Sequence, residues 1–458
     1  MRNSLIATAV AAAVALVATD ASAQARGAAT KEDVAAVHAQ MQALTERLNR
    51  LETANGTLQA ENSALKAEVE RRDAETEYLK AQTKDLREEA AIASNEISKV
   101  KGADWATKLK ARGDLRYRHE SIMTERVVGT GATATVEDAA DRYRHRIRAR
   151  FGFDARVTDN VGVTTLLATG GDDPRSSNQT LGSNGTRKSI GLDMAYVDWK
   201  FTQGANLVLG KQPWPFWRPG QSHFFDGDYN AEGGAVKYEQ GMLFSTAYGW
   251  WLTEQYNADP ALANSDANVF GLQAGLKFPL FGGETRVAAH YFDCGACQDH
   301  SPLYNNNANG NTTFRVGTGT TNYLSYDYEI LELAAQLGVT LFDLPFAFWA
   351  NYAQNMASGV EYDEAYGVGV VLGKASNPRT WEAGLFYQAI DQDALFGQFI
   401  DSDFGDGRTD TEGWVLKAGY APVKNISFNA TYYLNTLDKD VGTELDYDRL
   451  QLDLNYKF

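Results

Sequence analysis

The sequence predicts an all-β transmembrane barrel of about sixteen antiparallel strands, preceded by a long α-helical coiled coil. Three patterns lead there. Apolar residues recur every three and four positions through residues 34–100, alternate with polar ones through residues 108–458, and the links between the alternating segments are short and long by turns.

The first residues carry one cation, Arg2, then an apolar stretch from Leu5 to Ala18, then Ala21-Ser22-Ala23. This is the layout of a cleaved export signal over residues 1–23, and the apolar stretch is too short for a stable membrane span. A short mature N-terminus, 24–33, follows. The mean hydropathy of −0.38 would class the rest as water-soluble, but strands that alternate apolar and polar residues escape such a scan. With 22 Tyr, 41 Gly and only 10 Pro, the chain suits an exported β protein better than a helical enzyme. A net charge of −16 argues against nucleic acid as a partner. No cofactor is expected. Cys294 and Cys297 stand as C-x2-C in a loop, which in an oxidising compartment reads as a local disulfide; the βαβ setting of a thioredoxin-like site is absent.

With Val34 as position a, the heptad repeat places Val37, Leu44, Leu51, Leu58, Leu65, Leu79 and Leu86 at d. Met41, Leu48 and Val69 fall at a, with Asn55 and Asn62 as polar interruptions that fix register at some cost in stability. A helix over 34–100 would be about 100 Å long, and its a/d seam would lie in water unless a partner helix covered it. Self-association in the periplasm follows. Residues 101–107, with Gly102 and Trp105, form the linker.

The barrel pattern is plainest at the end of the chain. Leu450, Leu452, Leu454, Tyr456 and Phe458 share one face; Arg449, Gln451, Asp453, Asn455 and Lys457 share the other. Apolar faces ending in Trp or Tyr suit membrane girdles, and the polar faces suit a wet lumen. Tight links fall near residues 158–160, 203–204, 240–241, 281–283, 342–344, 377–378 and 423–424. Long polar loops fall near 121–139, 170–188, 213–229, 253–266, 294–321, 355–362, 392–409 and 436–444. Fifteen connections make sixteen strands.

In the second strand Arg142, Arg144, Arg146, Arg148 and Arg150 lie two apart and share a face. Each would cost about 2–4 kcal/mol against lipid near the midplane, so they face the lumen. Strand 1 repeats the design with Arg112, Arg116 and Arg118 beside Asp114 and Glu120. Two adjacent cationic rows make a candidate anion path; the competing reading is that the arginines pair with lumen carboxylates and line the wall. The outer loops are acidic, notably Asp391, Asp393, Asp401, Asp403, Asp406 and Asp410, and read as solvated, bridged to lipopolysaccharide by divalent ions. On the opposite face of strands 1 and 2, His119, Ser121 and His145 come near one another, the one arrangement that would suit a lipid hydrolase; no nucleophile motif surrounds Ser121.

The stretch Arg142 to Arg150, Leu167-Ala168-Thr169-Gly170-Gly171-Asp172-Asp173-Pro174, Gly191-Leu192-Asp193-Met194-Ala195-Tyr196, and Gly210-Lys211-Gln212 with Pro215-Phe216 resemble the "putative porin" family of Gram-negative outer membranes. The resemblance spans nearly the whole mature chain and implies a sixteen-stranded channel, a homotrimer in outer-membrane lipid, passing small hydrophilic solutes. Phe458 resembles the terminal aromatic that barrel assembly reads. The resemblance also implies that the third long loop folds into the lumen as the constriction, with Arg218, Asp226, Asp228 and Glu232 supplying opposed charges. The rival reading is a barrel-anchored tether whose coiled coil reaches the cell wall.

Overall fold

The computed structural model describes residues 31–99, 107–254 and 266–458. The expected export signal at 1–23, nearly all of the expected linker at 101–107 and most of the fourth long loop lie outside the described residues. The chain divides into two units, one holding a helix and the other the barrel.

Helix α1 runs from Lys31 to Lys99 without interruption. Its Leu44, Leu51, Leu58, Leu65, Leu79 and Leu86 are all more than half exposed. Ion pairs at i,i+4, such as Arg72–Glu68 at 2.9 Å, support the solvated faces. No helix among the described residues is long and apolar enough to cross a membrane.

Sixteen long strands form the barrel: β1 Leu109–Val128, β2 Arg142–Thr158, β3 Val161–Thr169, β4 Ile190–Thr202, β5 Ala205–Pro213, β6 Asn230–Gln240, β7 Leu243–Thr253, β8 Ala267–Leu280, β9 Gly283–Gly295, β10 Tyr328–Leu341, β11 Leu344–Asn355, β12 Glu364–Gly373, β13 Thr380–Ile390, β14 Thr411–Val423, β15 Ile426–Leu437 and β16 Leu445–Lys457. Each pairs antiparallel with its neighbours, and β1 pairs with β16 from Asp114↔Lys457 to Thr124↔Tyr447, which closes the wall. Closure removes every free edge, the condition for a sheet to stand in lipid. The seam ends on two backbone bonds between Gly113 and Phe458, at 3.2 and 3.1 Å. Position 113 favours glycine here, since a Cβ would collide with the backbone carbonyl oxygen of Arg150 on β2.

The wall is inverted relative to a water-soluble protein. Leu115, Phe151, Trp199, Leu272, Leu333, Val368, Leu385 and Leu454 point outward and are exposed. Aromatic residues mark both margins of this band. Trp199, Trp381, Tyr420, Phe428 and Tyr456 lie at the short-turn end. At the other end Tyr352, Tyr387 and Tyr432 donate from their hydroxyls to Glu364, Glu412 and Asp448 at 2.9–3.1 Å. A phenol with an apolar ring and a bonded hydroxyl suits the boundary between lipid and water.

The interior holds a second apolar region. Trp214, Phe216, Phe224, Phe225 and Tyr229 of the third loop pack with Phe396, Phe399 and Phe404 of the seventh and with Tyr248, Trp250, Phe292 and Phe386 of the wall. The third loop was expected inside the lumen and the seventh was expected to be solvated. The apolar residues inside the seventh, Ala394-Leu395-Phe396 and Phe399-Ile400, are what draw it inward.

Candidate functional site

The site begins with register. Across β1 and β2 the lumen-facing pairs are Asp114↔Arg150, Arg116↔Arg148, Arg118↔Arg146 and Glu120↔Arg144. Two of these set guanidinium against guanidinium, a destabilising juxtaposition on neighbouring strands. Carboxylates from three other directions relieve it. Asp453 of β16 accepts from Arg118 at 2.7 and 2.9 Å. Asp228 of the third loop lies 3.4 Å from both Arg148 and Arg150. Asp403 of the seventh loop lies 2.8 Å from both Arg118 and Arg449. Within the wall, Asp114 takes Arg148 and Arg150 at 2.8 and 2.7 Å. Glu120 has no solvent exposure and binds Arg144, Arg146 and Arg449. The arginine rows therefore do structural work: they clamp two loops inside the barrel.

The eight wall arginines separate into three groups. Arg116, Arg118, Arg148 and Arg150 line a lumen cavity of about 810 Å³. Arg144 and Arg146 surround Glu120. Arg112 pairs with Asp154 at 3.2 Å toward the short-turn end, and Arg142 is exposed at the loop end of β2.

The third loop crosses the lumen. Trp217 donates its backbone N–H to Gln273 of β8, Gly220 to Gln336 of β10 and His223 to Gln388 of β13, all at 2.7–2.9 Å. Gly220 adopts φ +47° at the tip, and a Cβ there would fall 2.1 Å from Trp349 Cδ1, so only glycine seats the loop against that indole. Of the four charges expected at the constriction, Arg218 and Asp228 line the cavity. Asp226 does not: it is buried and accepts the backbone N–H of Ser402 at 2.8 Å, joining the third loop to the seventh. Glu232 is also misplaced by the expectation. It lies in β6 on the same outward face as Val236, paired with Lys211 of β5 at 2.9 Å. The loop ends at Tyr229, so the period of two, not loop curvature, sets the direction of Glu232.

The acidic outer loops are likewise corrected. Asp393 and Asp410 are buried, and Asp403 is held by two arginines. Asp393 accepts from Thr312 and Tyr328, tying the seventh loop to the fifth. Arg175, not singled out from sequence although it directly follows Asp172-Asp173-Pro174, donates to the carbonyls of Gly397, Ile400 and Gly407 at 2.7–3.4 Å. Arg449 was visible as a polar-face residue of the last strand, but its three-way partnership needed the folded loop.

Asp226 is pushed above the usual carboxylate range by burial, with the Asp401 and Asp228 carboxylates adding to the shift. Burial opposes the opposite shift of Asp403, but Arg449 and Arg118 hold that carboxyl well below its usual value. A raised pKa in the folded state contributes stability that is fully present at low pH and is lost as pH rises through the raised value. The contact between the third and seventh loops should therefore tighten as pH falls, while the Asp403 clamp persists below the ordinary titration range of a carboxylate. Channel current noise should fall as pH is lowered, and Asp226→Asn should flatten the dependence; noise that keeps its pH dependence in the variant would refute the assignment.

On the outer wall His119 Nε2 lies 3.1 Å from Ser121 Oγ, as the sequence spacing suggested. The group beside His119 is a second imidazole, His145, tilted by 47°, whose Nδ1 lies 2.9 Å from the Tyr117 hydroxyl. Among the described residues no carboxylate bonds either ring. Cys294 and Cys297 are buried, paired as a disulfide with Cα atoms 5.6 Å apart.

A closed barrel with an apolar exterior, an infolded third loop and a charged lumen cavity defines a transmembrane channel of the outer membrane. The chain belongs to the "putative porin" family, whose profile matches residues 3–300 and 300–458. Among solved structures it is similar to OprB of Pseudomonas putida, with 13% identity, 77% of this chain and 95% of that chain covered, and a TM-score of 0.48. It is also similar to OmpT of Vibrio cholerae lacking loop L8, at 15% identity, 77% and 100% coverage and a TM-score of 0.43. A Rhodopseudomonas blastica porin variant gives 12%, 76% and 100%, and 0.42. Among curated proteins none matches.

Proposed function

We propose that this porin passes small hydrophilic solutes by passive diffusion and favours anions. One observation carries the preference: seven cationic side chains and four carboxylates line the lumen cavity. Most of the arginines are shared among carboxylates, yet the excess stays positive, and Arg116 is held only loosely, 3.9 Å from Asp453. Such an array offers a passing anion successive weak sites. In a planar bilayer under a potassium chloride gradient, purified protein should give stepwise conductance with an anion-biased reversal potential. Arg116→Gln with Lys417→Gln should bring that potential close to zero. A cation-biased wild type would overturn the preference, and a folded but silent protein would favour the tether.

The exposed a/d seam of α1 supports self-association as a periplasmic coiled coil, with the barrels as a homo-oligomer, a trimer by family resemblance. Residues 1–23 are the export signal in this reading, and residues 34–100 the coiled coil. A chain lacking 34–100 should still conduct but lose oligomer stability in detergent. Unchanged mass and heat stability would refute that role for the helix, and a loosened envelope in cells with normal conductance would separate tethering from transport.

A further inference from the structure

The cationic wall is interrupted by an uncharged row on β15, set beyond a β16 row whose one carboxylate is Asp453, and the interruption has a regular geometry. Reading across the lumen face from β1 through β16 to β15, Arg116 stands opposite Asn455, which stands opposite Ser427. Two residues further along, Arg118 is followed by Asp453 and then Asn429. Two further still, Glu120 is followed by Gln451 and Thr431, and Thr431 stands opposite Lys417 of β14. Ser427, Asn429 and Thr431 lie two apart on one strand, so all face the same cavity, which they line together with Asn455. Arg116 and Lys417 are three strand spacings apart across the wall, at about 4.8 Å each, and four residues apart along it, at about 3.3 Å each, or about 20 Å between backbones.

Neither cation at the margins makes an ion pair closer than 3.6 Å. Arg116 donates to the neutral Asn455 at 3.2 Å. Lys417 donates to Gln221 at the tip of the third loop, 2.7 Å away, with Glu382 at 3.6 Å. Among the described residues the side chains of Ser427, Asn429 and Thr431 make no hydrogen bond to another protein group. Their donors and acceptors face the cavity unpaired.

We infer that the strip Ser427–Asn429–Thr431–Asn455, flanked by Arg116 and Lys417, is a permeant-binding site for polyhydroxylated carboxylates, the class of sugar acids. A small inorganic anion can meet one marginal cation but cannot span to the other, and leaves the neutral row unused. An aliphatic carboxylate of the same length meets a cation but offers the row nothing to bond. A hydroxylated six-carbon acid sets its carboxylate on a cation and its hydroxyls along the amides and hydroxyls between, so that polar groups on both sides are matched. The loop tip at Gly220-Gln221 faces this strip and keeps the passage narrow enough for contact.

This inference rests on the channel reading above, and the test separates the two. Chloride current through the full-length protein in a planar bilayer is titrated with gluconate, hexanoate or sorbitol, after correction for bulk conductivity. Gluconate carries charge and hydroxyls, hexanoate only charge, sorbitol only hydroxyls. Half-block by gluconate is expected at a concentration about tenfold below that of either control, the ratio that one well-made hydrogen-bonded contact supplies. In Asn429→Leu with Thr431→Val the gluconate-to-hexanoate ratio should collapse toward one. Equal half-block by all three in the wild type, or a ratio that survives in the double variant, overturns the site while leaving a conducting porin. Absence of any current from folded protein overturns the channel reading and this inference with it.

Discussion

Glu120→Gln should destabilise the barrel by about 3–5 kcal/mol, because one buried carboxylate compensates four guanidinium groups, of which Arg144 and Arg146 have no other carboxylate in contact. Arg144, Arg146 and Arg449 all converge on Glu120, and Arg449 is itself only 2% exposed. The amide keeps the volume and one acceptor, so packing changes little and the loss is electrostatic. The measurement is the urea midpoint of unfolding in detergent micelles, followed by tryptophan fluorescence. The companion variant Arg144→Gln, whose side chain is more exposed, should cost much less. Similar midpoints for Glu120→Gln and wild type would show that water or a counter-ion screens the cluster, and the clamp would lose its central member.

The second large effect concerns pore size. Excising residues 394–405 and joining the ends with a short Gly-Ser linker should raise single-channel conductance at least about twofold, since sixteen strands enclose an aqueous channel when nothing fills it. Leu395, Phe396, Phe399, Ile400 and Phe404, each almost wholly buried, occupy the lumen beside Trp214 and Tyr229. Phe399 alone meets Trp214 at 5.3 Å and Tyr229 at 4.7 Å between ring centroids. Removing them would also free Arg118 and Arg449 from Asp403, adding positive charge to the passage, so the anion bias should grow along with the current. Conductance unchanged by the excision would mean that the third loop alone sets the constriction. A larger conductance with a weaker anion bias would show that the freed arginines find other partners.

Both expectations depend on contacts that lie far apart in the chain. Glu120 and Arg449 are separated by 329 residues, yet β1 and β16 are adjacent because the barrel closes. Nothing local in either segment reports the pairing. The partners of the arginine rows were partly legible: Asp114 and Glu120 share the face by period alone. The loop carboxylates were not, because Asp228 and Asp403 reach the wall only through the path of an irregular backbone. Loops without periodicity leave direction undetermined, which is why Glu232 was placed in the constriction while strand register turns it outward. The seventh loop was misjudged for a related reason. Its aspartates dominate by count, but its interleaved phenylalanines decide its position, since burying apolar rings outweighs the exposure of acids that find arginine partners inside.

The sequence by itself determined the barrel, the number of strands, the inward face of the arginines and the long heptad helix, because each rests on a repeat of two or of three and four residues that backbone geometry enforces. Only the tertiary structure decided which carboxylate meets which arginine, which loops enter the lumen, and where an uncharged strip is left open between cations. Those outcomes depend on closure, register across non-neighbouring strands and packing of loop side chains, and these are interactions that no periodicity within one segment encodes.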